Sequence, residues 1–251
     1  MPSLAGLFFW MNVKIENIKK LDVSKSLKLD CGKTISNFPL AYETYGTLSQ
    51  NKDNAILVFH ALTGDQFVTG TNPITKKEGW WVTAVGPNKA IDTNKYFVIC
   101  ANVIGGCMGS LGPKNINPET KVPYGLDFPV ITIRDMIRAQ ESLLQHLGIK
   151  KLLCATGGSM GGMQLLQFCT TYPDKTFSAV PIACSSSHSA QNIALNELAR
   201  QAIMADPVWD DGKYVLKNAQ PKNGLAVARM VGHISYLSEK GMQEKFGRKL
   251  Q

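Results

Sequence analysis

The stretch Ala155-Thr156-Gly157-Gly158-Ser159-Met160-Gly161-Gly162 decides the fold. The run Lys151-Leu152-Leu153-Cys154-Ala155 leads into it and is typical of a buried strand. After the serine, apolar residues recur at helical spacing until Pro173 ends the pattern. A serine between a strand and a helix, flanked by glycines that lack a Cβ, is typical of a nucleophile on a strained turn. The pattern G-x-S-x-G therefore predicts that Ser159 is a nucleophile. The alternative is a turn that only caps a helix.

Strand-like and helix-like segments alternate from about residue 55 onward. This alternation is typical of a mostly parallel sheet flanked by helices, so the predicted fold class is α/β. The alternation from Pro39 to Gly46 predicts an antiparallel edge strand, and residues 105–130 predict a long ordered loop rich in Gly, Pro and Asn. Predicted buried strands cover 55–59, 96–101, 151–155 and 178–184. Predicted helices cover 133–147, 193–200 and 225–231, and a further helix begins at Ser159 and ends before Pro173.

The composition indicates one folded domain, because 44% of the 251 residues are hydrophobic and 18% are charged. A second methionine, Met11, begins a polar start, so residues 1–10 are interpreted as a possible non-native extension. Residues 11–251 are interpreted as an incomplete domain, with 190–251 entering a helical cap. The apolar run Leu4 to Met11 is too short to span a bilayer and has no Lys or Arg before it. A cytoplasmic protein without a membrane partner is expected.

The formal net charge of +8 favours anionic partners in general. The basic residues are scattered in pairs such as Lys19-Lys20, Lys76-Lys77 and Lys150-Lys151, and they are not interleaved with aromatic residues. The charge is therefore interpreted as a solvated surface, and no nucleic-acid partner is expected.

The cysteines show no C-x-x-C pair, and most of them lie in apolar runs. This usage predicts buried, reduced thiols of a cytosolic protein. No metal site is predicted, because neither cysteines nor histidines are grouped at ligand spacing. The cysteines are Cys31, Cys100, Cys107, Cys154, Cys169 and Cys184, and the histidines are His60, His146, His188 and His233.

An acyl-accepting serine needs hydrogen-bond donors for the oxyanion. The strand, serine turn and helix resemble the nucleophile turn of the α/β-hydrolase fold, in which one donor is the N–H after the serine, here Met160. The other comes from a loop after an earlier strand, and Leu62 N–H has that place in His60-Ala61-Leu62-Thr63-Gly64. His60 is predicted to brace this loop, because the order in that fold is Ser, then Asp or Glu, then His.

A catalytic base for Ser159 is not evident in the sequence. Only His188 and His233 follow the serine. Neither follows a predicted strand, as the histidine of the α/β-hydrolase fold does, so both are interpreted as structural residues. The sequence therefore predicts that the base of the serine nucleophile is missing.

Beyond the serine turn, several stretches resemble the homoserine O-acetyltransferase family of the α/β-hydrolase superfamily. The resemblance runs from about residue 40 to the end, and together these stretches are far more specific than G-x-S-x-G. They are His60-Ala61-Leu62-Thr63-Gly64, Gly79-Trp80-Trp81, Asn102-Val103-Ile104-Gly105-Gly106-Cys107-Met108-Gly109-Ser110, Gly157-Gly158-Ser159-Met160-Gly161-Gly162-Met163-Gln164 and Ala228-Arg229-Met230-Val231-Gly232-His233-Ile234-Ser235-Tyr236.

The resemblance implies an acyltransferase of methionine biosynthesis that works by a ping-pong mechanism. Ser159 takes the acyl group of acetyl-CoA, and the hydroxyl of L-homoserine then accepts it. Arg229 is expected to bind the homoserine carboxylate, and Tyr236, about two helical turns further on, lines the same pocket. No permanently bound cofactor is expected. Family members form homodimers at full length and carry their catalytic Asp and His beyond residue 251, so the chain is interpreted as truncated and poorly active.

Four other functions stay open at the level of the sequence. The donor is either acetyl-CoA or succinyl-CoA, and the acceptor is either homoserine or serine. A plain serine esterase would share Ser159 and the oxyanion donors but would not need Arg229 or Tyr236. A non-catalytic remnant is the last alternative.

Overall fold

The computed structural model describes residues 18–217 and 219–248, and the proposed extension 1–10 lies outside them. The described residues divide into two compact units, one formed by 18–115 and 127–186 and the other by 116–126 and 187–248. The strands are β1 (Lys20–Val23), β2 (Leu27–Lys28), β3 (Thr34–Ile35), β4 (Phe38–Tyr45), β5 (Ala55–Phe59), β6 (Val85–Gly86), β7 (Ile91–Asp92), β8 (Phe97–Ala101), β9 (Leu152–Gly158) and β10 (Thr176–Ile182). The helices are α1 (Ile133–His146), α2 (Met160–Thr171), α3 (Ala190–Met204), α4 (Lys222–Tyr236) and α5 (Glu239–Phe246).

A six-stranded sheet forms the centre of the first unit, in the order β1-β4-β8-β5-β9-β10. Strands β8, β5, β9 and β10 pair in parallel, whereas β4 pairs antiparallel with both β1 and β8. Two short strand pairs, β2 with β3 and β6 with β7, lie outside this sheet. The prediction of an α/β fold with a mostly parallel sheet flanked by helices is confirmed.

The strand predicted at residues 39–46 is present as β4, but the prediction that it is an edge strand is wrong. Strand β4 lies between β8 and the short strand β1, which pairs with it from Lys20↔Ala41 to Val23↔Phe38. The sheet edge is therefore β1. Four residues with mixed polarity are too few to give an alternation that indicates a strand, which is why the sequence pattern missed it.

The opposite edge is β10, predicted at 178–184 and observed two residues earlier. Pro181 lies within this strand and pairs with Gly157 of β9. A proline is tolerated there because it has no N–H and an edge strand has one side free of ladder hydrogen bonds. Strand β9 is longer than predicted, because it continues through the glycines up to Gly158.

The core of the first unit lies where α1 and α2 pack against the sheet. All residues of β5 and β8 are buried. Helix α2 contributes Phe168, whose ring lies 5.7 Å from that of Phe59 on β5. Helix α1 begins at a capping box in which Thr132 and Asp135 exchange hydrogen bonds, and the chain leaves it through Gly148 at φ +68°.

The cysteines are less buried than the sequence predicted. All six are free thiols, but only Cys100, on β8, is fully buried. Cys31 lies in the turn between β2 and β3 and Cys107 in a Gly-rich loop, and both are exposed. An apolar neighbourhood in the sequence does not bury a residue that lies in a turn.

The second unit is built on α3 and α4. A Cβ on Gly224 of α4 would lie 2.4 Å from the carbonyl oxygen of Ala202 on α3, so the two helices approach closely at this glycine. The carboxylate of Asp206 accepts the N–H of Gly224 at 2.9 Å near the start of α4, and this bond lowers the pKa of Asp206. The predicted 105–130 loop is shared between the two units, because residues 116–126 belong to the second.

Among the described residues, the helices are all too short or too polar to cross a membrane.

The approach of α2 to the end of β5 gives a test of the fold. A Cβ on Gly161 would lie 2.1 Å from Phe59 O, whereas a Cβ on Gly158 would meet no heavy atom closer than Ile182 O at 3.8 Å. We expect Gly161→Ala to destabilise the protein by about 1–3 kcal/mol through overpacking. Thermal or urea unfolding measures this.

Gly158→Ala is the matched control, and we expect its stability to stay within about 0.5 kcal/mol of the parent. Equal stabilities for the two variants would contradict the close approach.

Candidate active site

Ser159 occupies a sharp turn between β9 and α2. Its backbone has φ 54° and ψ −123°, a conformation that L residues rarely adopt. Two backbone hydrogen bonds hold it: its N–H donates to Ile182 O at 3.0 Å, and its carbonyl accepts the N–H of Met163 at 3.1 Å. The residue is exposed. This geometry suits a nucleophile that is presented to a substrate.

The glycines around the serine are required by space. A Cβ on Gly157 would lie 2.5 Å from Gly161 O, and one on Gly162 would lie 2.5 Å from the sulfur of Cys184. Real Cβ atoms do not come so close to other heavy atoms, so any larger residue would shift the strand or the helix. The glycines of the G-x-S-x-G pattern therefore let α2 begin directly at the sheet.

The two predicted oxyanion donors belong to neighbouring strand ends. Strands β5 and β9 are parallel neighbours, with Phe59 paired to Gly157. The loop after β5 and the serine turn therefore both start at the carboxyl ends of the strands. Leu62 N–H has no hydrogen-bond acceptor within residues 18–217 and 219–248. Met160 is the first residue of α2, where helix geometry leaves an N–H without an intrahelical acceptor.

His60 braces this loop. Its ring is buried, Nδ1 lies 2.8 Å from Ala61 O, and Nε2 lies 3.1 Å from the N–H of Val103. Because Nε2 accepts from a backbone N–H, the proton is on Nδ1 and the ring is neutral. Burial lowers the pKa of His60 in the same direction. With both nitrogens engaged, His60 has no free lone pair for a proton from Ser159.

A pair of buried amides behind the loop was not predicted from the sequence. Gln164 of α2 donates from Nε2 to His60 O at 3.1 Å, and its Oε1 accepts from Gln140 Nε2 of α1 at 2.8 Å. Both side chains are at most 1% exposed. Gln140 and Gln164 interrupt otherwise apolar helix faces, which is the sequence signal that was available for them.

No base contacts the serine in the part of the chain that the structure describes. No imidazole or carboxylate there hydrogen-bonds to Ser159. His146 ends α1, His188 is exposed before α3, and His233 lies edge-on to Phe246 with ring centroids 6.4 Å apart.

Comparison with known proteins agrees with this geometry. A family model described as alpha/beta hydrolase fold matches residues 54–249. The chain belongs to the alpha/beta hydrolase fold family. It is 66% identical over 241 residues to the homoserine O-acetyltransferase of Pelagibacter ubique (strain HTCC1062), covering 96% of this chain and 64% of that protein. The resemblance to homoserine O-acetyltransferases is thereby confirmed, although the chain spans less than two thirds of this relative.

Two solved structures of the same fold carry different names. The homoserine O-acetyltransferase from Bacillus anthracis is 32% identical, with a TM-score of 0.84 over 92% of this chain and 63% of that one. Esterase E22 is 31% identical, with a TM-score of 0.79 over 94% of this chain and 66% of that one. An alpha/beta hydrolase with this framework is therefore named both as a transferase and as an esterase.

Arg229 and Tyr236 lie on α4 in the second unit of this alpha/beta hydrolase, and both are exposed. The ring of Tyr236 folds back over Gly232, with Cε2 3.5 Å from the position of a Cβ there. Positions 229, 232 and 236 have helical spacing for one face, so the predicted pair shares a face of α4. The Arg229 guanidinium has no acidic partner among the described residues.

Asp65, in the loop after β5, is a buried carboxylate that was not predicted as a site residue. Its Oδ1 accepts from Phe67 N at 2.8 Å and its Oδ2 from Asn72 Nδ2 at 3.1 Å. Its backbone carbonyl accepts from Trp80 Nε1 at 2.8 Å and from the Cys100 thiol at 3.6 Å. Burial outweighs the two bonds to the carboxylate and raises the pKa of Asp65 to about 6.

The raised pKa of Asp65 predicts a pH-dependent stability. The unfolded carboxyl titrates near pH 3.9, so between about pH 4 and 6 the folded state binds the extra proton and stability falls as the pH rises. The loss levels off above the folded pKa and is on the order of 3 kcal/mol, or roughly 6–12 °C in melting midpoint.

Asp65→Asn removes this titration, while other groups titrate equally in both proteins. We therefore expect the difference in melting midpoint, Asp65→Asn minus parent, to increase from pH 4 to pH 7. A constant difference across this range would show that Asp65 keeps an ordinary pKa.

Proposed function

We propose that the chain carries the nucleophile, oxyanion donors and carboxylate-binding residues of an acyltransferase that moves an acetyl group from acetyl-CoA to the hydroxyl of L-homoserine. The observation that carries the proposal is Ser159 at φ 54° between β9 and α2, with the N–H of Leu62, which has no acceptor among the described residues, in the loop after the neighbouring strand β5. The 66% identity to a homoserine O-acetyltransferase supports the choice of substrates. Methionine biosynthesis is the expected pathway.

The first half-reaction acetylates the serine. Ser159 Oγ attacks the thioester carbonyl, and its proton passes to a base. The carbonyl oxygen becomes an oxyanion that accepts from Met160 N–H and Leu62 N–H. When the tetrahedral intermediate collapses, the C–S bond breaks and the CoA thiolate takes up a proton. The product is acetyl-Ser159 and free CoA.

In the second half-reaction the homoserine hydroxyl is the nucleophile and the Ser159 hydroxyl is the leaving group. The homoserine hydroxyl gives its proton to the base and attacks the ester carbonyl of acetyl-Ser159. The same two N–H groups stabilise the second oxyanion. The bond between the acetyl carbon and Ser159 Oγ then breaks, and the serine recovers its proton. Each half-reaction transfers one acetyl group and returns the base to its starting state, so no permanent cofactor is needed.

Arg229 is proposed to bind the carboxylate of homoserine. A guanidinium offers two parallel N–H donors to one carboxylate, and Arg229 is exposed without an acidic partner among the described residues. Tyr236 shares this helix face and is 82% exposed, so its ring is available to line a pocket. A homodimer is the assembly proposed for this protein at full length.

The base is proposed to be an Asp and His pair outside the described residues. Since a serine without a base is a weak nucleophile, residues 1–251 by themselves should turn over far more slowly than a chain that supplies this pair. Loss of a triad lowers kcat by about 10⁶-fold in subtilisin, while the oxyanion site and binding alone retain about 10³- to 10⁴-fold over water.

The decisive experiment measures CoA release from acetyl-CoA with and without L-homoserine. We expect the parent chain to release CoA slowly but above the uncatalysed rate, faster with homoserine than without. In intact mass the parent should gain one acetyl group, whereas Ser159→Ala should gain none because the acceptor atom is gone. Succinyl-CoA and L-serine, run in parallel, test the other donor and acceptor.

A parent chain that gains no acetyl group, or a Ser159→Ala variant that gains one, would contradict the nucleophile. Turnover as fast as that of the Pelagibacter ubique relative would contradict the absence of a base, and His188 or His233 would then be examined by substitution.

Substitution of Arg229 tests the acceptor site separately from the chemistry. Charge-assisted hydrogen bonds contribute about 1.5–3 kcal/mol, so Arg229→Met should weaken L-homoserine binding by about 10- to 100-fold in calorimetry. Arg229→Lys should recover only part of the loss, because an ammonium cannot bind a carboxylate in the same two-pronged way.

Arg200→Met is the matched control, since Arg200 lies on α3 and pairs with Glu197. Unchanged binding in Arg229→Met, or an equal loss in Arg200→Met, would contradict the role of Arg229.

A serine esterase is the second candidate, favoured by the structural likeness to esterase E22. The two functions differ in the acceptor, which is water in one and homoserine in the other. Hydrolysis of p-nitrophenyl acetate that exceeds acetyl transfer to homoserine, and that does not respond to Arg229→Met, would favour the esterase.

A further inference from the structure

The oxyanion site has one donor on a helix and one on a loop, and their separation has to be fixed by something. Met160 N–H belongs to α2, and Leu62 N–H belongs to the loop after β5. An oxyanion hole functions only when both donors lie within hydrogen-bond distance of the same oxygen. The contacts between α2 and this loop therefore decide whether the site is formed.

One face of α2 runs along the end of β5. Gly161, Gln164 and Phe168 are spaced by three and four residues and so share a helix face. A Cβ on Gly161 would lie 2.1 Å from Phe59 O and 3.1 Å from His60 O, and the ring of Phe168 packs on that of Phe59. These two contacts are non-directional. The bond from Gln164 Nε2 to His60 O, at 3.1 Å, has a defined donor and acceptor.

We propose that Gln164 is a positioning residue of the oxyanion site: its amide, oriented by Gln140, holds the carbonyl of His60 and thereby sets Leu62 N–H against Met160 N–H. The proposal rests on the acyl-transfer function proposed above, because it assigns a role in the same site. Gln164 does not contact the reacting atoms and acts through the loop.

The hydrogen bond from Gln140 fixes the orientation of the Gln164 amide. Gln140 Nε2 donates to Gln164 Oε1 at 2.8 Å, so the oxygen of Gln164 faces Gln140 and its nitrogen faces His60. Both amides are buried, where reversing either would place donor against donor or acceptor against acceptor at a cost of about 1–3 kcal/mol. The Gln164 amide therefore has one orientation that satisfies both of its contacts, while Gln140 Oε1 has no hydrogen-bond partner among the described residues.

The loop is short enough for the position of His60 to reach Leu62. Only Ala61 separates them, and its carbonyl is already engaged by His60 Nδ1 and by the N–H of Gly64 at 2.9 Å. On the other side, the His60 ring is held by the N–H of Val103. A shift of the His60 carbonyl thus moves the following peptide as a unit, and a misplacement of about 1 Å costs roughly 100-fold in rate.

Gln164→Met tests the proposal, because it keeps the length of the side chain and removes both hydrogen bonds. Gln167→Met is the matched control: Gln167 lies on the same helix and donates to Thr171 Oγ1 at 2.9 Å, away from the loop. The rate of Ser159 acetylation by p-nitrophenyl acetate is followed by intact mass over a range of reagent concentrations, with Ser159→Ala as the baseline.

We expect Gln164→Met to lower the limiting acetylation rate by about 10- to 100-fold, with the half-saturating concentration unchanged, because the ester binds before the oxyanion forms. Gln167→Met should keep the parent rate. If Gln164 only stabilised the fold, its substitution would lower the melting midpoint but would not lower the limiting rate at an unchanged half-saturating concentration. Equal limiting rates in the two variants would overturn the proposal.

Crystal structures of the parent and Gln164→Met give a second measurement that needs no catalysis. We expect Leu62 N to move relative to Met160 N by about 0.5 Å or more, the tolerance of a preorganised site. If the parent is not acetylated, the proposed nucleophile fails, and an unchanged separation of the two nitrogens would independently overturn the role of Gln164. Should Gln164→Met not fold, Gln140→Met removes only the hydrogen bond from Gln140 to Gln164. It is judged by the limiting acetylation rate and by the separation of Leu62 N and Met160 N.

Discussion

The rest of the structure depends on the contact between the first turn of α2 and the end of β5. Gly161 lies so close to Phe59 O that a Cβ has no room, and Gly157 and Gly162 are equally confined. A helix that begins this close to the sheet leaves one residue for the change of direction. Ser159 takes up that change at φ 54°, and a conformation of this kind persists only where the surroundings enforce it.

Three side chains behind the site use both of their polar ends, whereas Gln140 Oε1, which is also buried, has no hydrogen-bond partner among the described residues. His60 uses both ring nitrogens, Gln164 uses both ends of its amide, and Asp65 uses both carboxylate oxygens. Because buried polar groups with complete sets of partners resist movement, the loop after β5 is held without help from a substrate. Leu62 N–H and the Ser159 side chain remain without partners among the described residues, and they are the groups that acyl transfer needs.

The sequence predicts the parts of this molecule that depend on local pattern. Strand β5 and helix α1 are apolar or amphipathic runs with clear ends, and the glycines around Ser159 identify the turn. Strand β1 is missed because four residues of mixed polarity form a strand only by pairing with β4.

The candidate site likewise contains residues that local sequence pattern predicts and residues that it does not. Ser159, Met160 and Leu62 can be predicted because each follows a strand in a recognisable order. The roles of Gln164 and Asp65 cannot be predicted in this way. Gln164 depends on a contact with His60 that spans 104 residues, and the carbonyl of Asp65 accepts from Trp80 and Cys100, which lie 15 and 35 residues further on. The pairing of Arg229 with a carboxylate rests on the family resemblance, since helical spacing gives only the shared face with Tyr236.

The geometry of the nucleophile does not depend on a base. Ser159 is held by Ile182 O and by the N–H of Met163, and both contacts are backbone hydrogen bonds of the first unit. A base would accept the proton of Oγ but would not set the direction of the Cα–Cβ bond, which the backbone of the strained turn fixes. Preorganised donors and proton transfer are therefore separable contributions to catalysis in this fold. A chain that has the turn and the oxyanion donors retains the first contribution, and the size of its residual rate measures how well the glycines, His60 and Gln164 have placed them.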